Sequence, residues 1–504
     1  MTADVAGSLG TGIDGTVRKI TYHYDDHMRR YKVGSYTTAD ATIPLNEVGF
    51  EYNGFGQLTA DRQEHGGAVG GGTLEVGYSY ESGGSNTLRG TGMTYPSGVS
   101  TTVKYTGTAA DKLSRPDLLA LGGTDEVAYR YLGLGRVVGT SYTAITTLTT
   151  PPVEMTYEDG TSPAGDKYSG LDDFGRVVET LWKQGTTVID NITYGYNRAS
   201  NRQWRRNRLA HDSGGSEANR HDNFYWYDGL HQVVQRQVGN LTGTAPNYTG
   251  IDTRQQNEDW CYDAIGNWNH YDNEDDSNLS QFRGHNGANE ITSVTNPAGV
   301  VQPACDKVGN QTFDIAPGNW DTRYELKWDA WNRIVEVRNG STLVQTNAYD
   351  GLTRRVTSAD GTGTTHYYYN TAWRAVEQYL NSGTSPERRH LWGLRSRWDL
   401  VKREIYDGGS LDEIRYVLYD AMDPVAICDD QGTITARFEY SPFGRVSFMN
   451  PNFSAATTPA DWDFLFHGEF WPDIWPEQND AENEFKIFNT GDHKWKPPII
   501  PAKN

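Results

Sequence analysis

The sequence predicts an all-β fold, an antiparallel sheet of stacked hairpin repeats. A turn-like motif recurs along the chain, strand-like alternation follows most copies, and no long stretch shows the 3.6-residue period of a helix. Composition agrees. With 504 residues, 55 Gly, 31 Tyr, 20 Pro and 12% aromatics, the chain is too aromatic for disorder and lacks the Gly-every-third period of collagen. One continuous array therefore replaces the three domains that length alone suggests.

The motif is an aromatic or apolar residue, then Asp or Asn, two or three variable residues, Gly or Asn, a polar or basic residue and an apolar one. Tyr52-Asn53-Gly54-Phe55-Gly56-Gln57-Leu58 shows it, with further copies starting at Tyr131, Leu171, Tyr227, Tyr262, Cys305, Trp328, Tyr349 and Tyr440 and weaker ones at Tyr24, Tyr196, Tyr369 and Tyr419. The late copies lie about 20 residues apart, enough for two short strands and a turn. Asp or Asn bonds the local backbone and Gly accepts φ > 0, so the turn sits inside the motif. Runs such as Gly175–Leu181 and Asn332–Val337 follow as β-branched strands, and the Tyr ends the strand before the turn. The positions that carry the unit are Tyr52, Gly56, Asp172, Gly175, Arg176, Tyr227, Asp228, Tyr262, Asp263, Gly266, Asp329, Tyr349, Asp350, Tyr419, Asp420, Tyr440 and Gly444. Helix is expected to be minor, a turn or two within Trp373–Leu380 or Ser385–Trp392. Gly66–Gly72, Glu81–Ser85, Asp212–Asn219 and Asp272–Ser277 read as insertions between hairpins.

Charge and motif searches narrow the function. A net charge of −20 repels a phosphate backbone, so nucleic acid is not expected as a partner. The run Arg202–Arg208 reads as a solvated strand face pairing with nearby acids. No apolar run reaches the ~20 residues that span a bilayer, and residues 1–15 lack the basic and apolar stretches of a signal peptide. Cys261, Cys305 and Cys428 offer neither a disulfide framework nor a CxxC pair. The paired acids Asp172 with Asp173, Asp272–Asp276 and Asp429 with Asp430 lie in turn-like sequence, where Asp serves the backbone, and the acidic loop lacks the spacing of a Ca²⁺ loop. There is no HExxH or GxSxG. No catalytic, cofactor or metal residue is therefore assigned. The aromatics leave a glycan-stacking surface open as an alternative.

From about Tyr22 to Gly468 the sequence resembles the YD-repeat, or Rhs (rearrangement hotspot), family, which includes bacterial polymorphic toxins, the C component of insecticidal toxin complexes and teneurins. The strongest segment is Tyr416–Val446, with Tyr419-Asp420, Asp430-Gln431-Gly432 and Tyr440-Ser441-Pro442-Phe443-Gly444, similar to the opening of the Rhs-associated core region. The resemblance implies a spiralling antiparallel β-sheet forming an open or partly closed hollow shell that encloses a polypeptide, extracellular or at the cell surface. It also implies an array over 1–446, with 415–446 opening the core region, and a divergent Trp-rich tail over 447–504. In many members the core cleaves the chain through an aspartate-based site. Here the expected Gly-Leu-Tyr-Tyr and Asp-Pro-Xaa-Gly steps do not follow Phe464–Glu469, so neither self-cleavage nor an effector is recognisable. Tyr22-His23-Tyr24-Asp25 is already repeat material, so a fragment or decayed copy of a longer protein is expected. The expected function is a shell or scaffold without its own effector. A cell-surface carbohydrate or adhesion module and a self-cleaving protease are the alternatives. Oligomeric state is left open. Trp462, Trp471, Trp475 and Trp495 lie outside the repeat and are expected to cap the end of the shell.

Overall fold

The computed structural model describes residues 1–466 apart from 6, 11, 83–87, 146–150, 158–166, 213–220, 276–279, 298, 317–318, 382 and 457–461, and describes no side chains over 314–323. Short β-branched and aromatic runs separated by turn residues form strands that pair edge to edge. Thr2–Asp4 pairs with Lys19–Tyr24, and from there each strand pairs antiparallel with the next in sequence as far as Gly299–Val301, giving a sheet of 22 strands. A second meander runs from Ala304–Cys305 to Val446–Met449. Ile13–Asp14 joins it in parallel beside Trp328 and Asp329, making 15 strands.

Helix among the described residues is confined to Thr108–Lys112 and Arg208–Asp212. The two segments expected to hold helical turns hold strands instead, Ala375–Leu380 and Arg388–Trp392. Both are covered on two faces, with Val376 to Tyr379 and Arg389 to Trp392 all buried. The period-2 alternation that would have marked them is therefore missing from the sequence.

Nearly every motif copy carries a β-bulge at its aromatic residue. Tyr52 faces Leu58 while Glu51 faces Ala60, so Thr59 is extra on the strand after the turn. The same one-residue shift occurs at Tyr24, Tyr196, Tyr227, Tyr262, Trp328, Tyr349, Tyr369 and Trp392. A bulge bends its strand and increases the local twist. Because the bulged turns close every second connection between neighbouring strands, the bulges accumulate along one rim.

The two sheets form successive laps of one wall. The ladder breaks between Val301 and Ala304, yet the turns remain side by side there: a Cβ on Gly309 would lie 3.2 Å from Glu290 Oε1. The second lap then packs along the first in the same direction. Trp331 and Leu352 pack on Val17, Ile20 and Val33; Tyr416 and Phe438 join the core of Tyr142 and Trp182; Phe443 packs on Trp260 and Trp268. The core thus lies at the seam between laps, as an all-β spiral would place it.

Candidate functional site at the turn rim and lap seam

Most motif turns are closed by their own carboxylate or amide. Asp329 Oδ1 accepts the backbone N–H groups of Trp331 (2.9 Å) and Arg333 (3.0 Å), and Arg333 Nε donates to Oδ2 (2.7 Å). Asp172 does the same with Phe174, Arg176 and the Arg176 side chain, and Asp350 with Leu352, Arg354 and the Arg354 side chain. Asp228 holds the N–H groups of Leu230 and Gln232, and Asp263 those of Ile265 and Asn267. The position before the last is left-handed, with φ +79° at Gly56, +73° at Gly175, +89° at Gly266 and +91° at Gly444. Asp420 makes a shorter version, accepting from Met422 and Asp423. Ser441 replaces the acid in the last full copy, its Oγ accepting from Arg445 N (3.0 Å).

The motif aromatics tie each repeat to the one before. Tyr52 Oη donates to the Arg30 carbonyl (2.8 Å), Tyr227 to Arg202 (2.6 Å), Tyr262 to Val233 (2.5 Å), Tyr349 to Ile334 (2.8 Å) and Tyr369 to Arg355 (2.7 Å). Each acceptor is the first residue past the preceding turn. Trp328 and Trp392 make the same bond with their indole nitrogens, to Gln311 (2.6 Å) and Ala375 (2.7 Å). The basic residue that ends a turn stacks on the next aromatic: Arg176 on Tyr196 at 4.6 Å and Arg333 on Tyr349 at 5.0 Å. Tyr419 instead accepts from Leu400 N (2.9 Å) and donates to the Trp398 carbonyl. Tyr440, whose copy has no bulge, has a buried hydroxyl without a partner among the described residues. Neighbouring turns also touch, through Arg176 to Ser200, Asn267 to Asn289 and Asn310 to Asn332.

At the seam, first-lap side chains bond the backbone of second-lap motif aromatics. Asn46 Nδ2 donates to Tyr349 O (2.9 Å) and Trp182 Nε1 to Tyr419 O (2.7 Å). Gln63 takes both the N–H and the carbonyl of Tyr369, at 2.9 and 2.7 Å. Buried ion pairs complete the contact. Arg354 bridges Asp350 (2.6 Å) and Asp61 (2.8 Å), Arg445 reaches Glu258 (2.6 Å), Arg437 reaches Asp190 (2.9 Å), and Lys402 reaches Glu126 (2.7 Å). Burial works to raise the Glu258 carboxyl, but Arg445 and Arg236 overcome it and hold it below the usual range. At Asp61 burial prevails and the pKa is raised despite Arg354. His65 and His366 meet across the seam with Nδ1 atoms 3.0 Å apart and rings parallel within 2°.

Several expectations change here. Arg205 is not on a solvated face: it is buried beside Glu439 (3.4 Å) and Asp420 (3.8 Å) at the seam. The reversal arises because the acids it meets come from a turn and a strand more than 200 residues away. Asp429 closes a turn with Gln431 and Thr433. Asn286 and the Tyr95–Val99 turn are copies that motif reading passed over; Asn286-Gly287-Ala288-Asn289 carried the signal, whereas Tyr95 has no acid to reveal it. Trp462 is buried under Arg403 (4.6 Å), and Phe464 packs edge-on to Trp392 (5.4 Å). Trp471, Trp475 and Trp495 lie outside the described residues. On the rim, Trp226, Leu230, Gln235, Asp259 and Tyr262 line a groove of about 740 Å³.

No protein-family model matches the sequence, and no curated protein matches it. Solved structures do match. The Tc holotoxin pore of Photorhabdus luminescens with a substituted TccC3 aligns with a TM-score of 0.60 at 14% identity, over 92% of this chain and 24% of that one. TcdB2–TccC3–Cdc42 aligns at 0.59 and 13%, over 91% and 24%. TcdB2–TccC3 without its hypervariable C-terminal region aligns at 0.53 and 13%, over 91% and 24%. The chain thus spans about a quarter of the length of the chains it matches, and its all-β antiparallel wall shares its fold with a part of these Tc toxin chains.

Proposed function

We propose that this chain is the wall of an Rhs-type shell, extracellular or linked to export, that encloses a polypeptide and acts as a scaffold rather than an enzyme. The observation that supports this most is the lap construction: hairpins clipped to their predecessors by tyrosine hydroxyls, with the second lap lodged against the first. A wall held this way gains stability from each neighbour and leaves its outer turns free of the core. Likeness of fold to Tc toxin chains agrees with that reading. A passenger test decides it. An unstructured segment of about 100 residues, fused after Asn504, is expected to resist protease as long as the wall is folded and to be cut once it is denatured. Digestion of the fused passenger at the rate of the free peptide would sink the shell reading.

A further inference from the structure

Arg29, Arg176, Arg333 and Arg354 each end a motif turn, and all are seated in the same way. Nε donates to Oδ2 of the aspartate that opens the turn, at 2.6 or 2.7 Å. The guanidinium lies over the next motif tyrosine, 4.6 to 5.9 Å from the ring centroid. A carboxylate on one side and an aromatic face on the other both favour a planar cation. The turn of Asp228 has the same two walls, Asp228 and the next motif tyrosine, Tyr262, but it ends in Gln232. The Gln232 amide reaches the following turn instead, with Nε2 3.2 Å from where a Cβ on Gly266 would lie. Asp228 Oδ1 accepts its two backbone N–H groups, and Oδ2 accepts no hydrogen bond among the described residues. By contrast, Asn267 and Asn310, which end the turns of Asp263 and Asp306, donate to that second oxygen at 2.9 Å. Asp228 and Tyr262 both line the rim groove of about 740 Å³, a size that holds more than one side chain. Asp259 and Asp263 line it too, and no lysine or arginine does. Trp226, Gln235 and Asp259 are cross-strand neighbours, so an indole and a further carboxylate share one face of the sheet there.

We infer that this groove docks an arginine-bearing segment of another polypeptide, its guanidinium placed between Asp228 and Tyr262 as the chain's own arginines are placed at the other turns. Charge complementarity selects a cation, and the planar fork selects arginine over lysine. Saturation-transfer NMR of the full chain with the peptide acetyl-Gly-Arg-Gly-amide tests this, with the lysine and the uncharged citrulline peptides alongside. The arginine peptide is expected to bind, the lysine peptide more weakly, and the citrulline peptide not at all. Asp228→Asn should weaken binding at least about tenfold, because a charged partner is lost. Its circular-dichroism melt should be unchanged, since Asn53 and Asn197 close their turns with the same two backbone bonds. Gln232→Arg should abolish binding without lowering the melt, because the chain then supplies the guanidinium itself. A wild-type chain that binds no arginine peptide, a lysine or citrulline peptide that binds as tightly, or a Gln232→Arg variant that binds like wild type would overturn the inference.

Discussion

At the left-handed turn position the array tolerates two solutions, and their energetics differ. Gly175 has φ +73° with no Cβ to strain it, whereas Thr353 stands at φ +71° with a branched one. An L-residue costs about 1–2 kcal/mol in this conformation. Gly175→Ala is expected to destabilise by about 1 kcal/mol, since part of the strain is offset by a less flexible unfolded chain. Thr353→Gly should change stability by less than about 0.5 kcal/mol, relief of strain cancelling the added unfolded-state entropy. Denaturation midpoints of the two variants check the pair, and an equal loss in both would refute the argument. At this scale the sequence was legible wherever the turn was written in Asp, Asn and Gly. Asp228 and Asp263 close their turns as the motif implies. Tyr95–Val99 was not legible, because its turn carries no Asp or Asn and its side-chain support, Glu377 accepting from the N–H and hydroxyl of Ser97, comes from distant sequence.

Between elements, the seam depends on charges whose partners come from distant sequence, and this was the part that could not be read. Nothing near Asp61 announces that Arg354, 293 residues on, will reach it. Strand existence was visible in alternation, except where both faces are buried, as in Ala375–Leu380. Such buried pairs add little net stability over an apolar substitute, but removing one partner leaves a buried charge uncompensated at about 3–5 kcal/mol. Arg354→Met is therefore expected to lose about that much at neutral pH. The loss should shrink toward acid. Without Arg354 the Asp61 carboxyl rises further above its unfolded value, and a raised carboxyl contributes more stability as the pH falls through the folded pKa. Urea unfolding at about pH 8 and about pH 5 checks this, and a loss that does not vary with pH would count against it.

For the whole molecule, the histidine pair gives the lap seam an acid-sensitive point. Burial pushes His65 down to about 3, helped by His366 and Arg354, and burial also lowers His366. Arg354, itself paired with Asp61, acts on His65, and Tyr368, near Glu64, stacks on His65 at 4.5 Å. A depressed histidine leaves the unfolded state holding more protons between about 6.5 and the folded value. Stability is then full above about pH 6.5 and falls as the pH drops, by up to about 1.4 kcal/mol per pH unit for each group. Melting temperatures from about pH 7 to about pH 4 should show this fall. His65→Asn/His366→Asn should flatten it, whereas an unaltered acid limb would assign the fall to the carboxylates. The bulges have a different consequence for size. Each repeat contributes its own increment of bend, fixed by one extra residue beside one aromatic. Curvature is thus an intensive property of the wall, and length an extensive one. Adding hairpins lengthens the coil without changing its radius, so the volume such a protein encloses can change by whole repeats while no existing side chain moves.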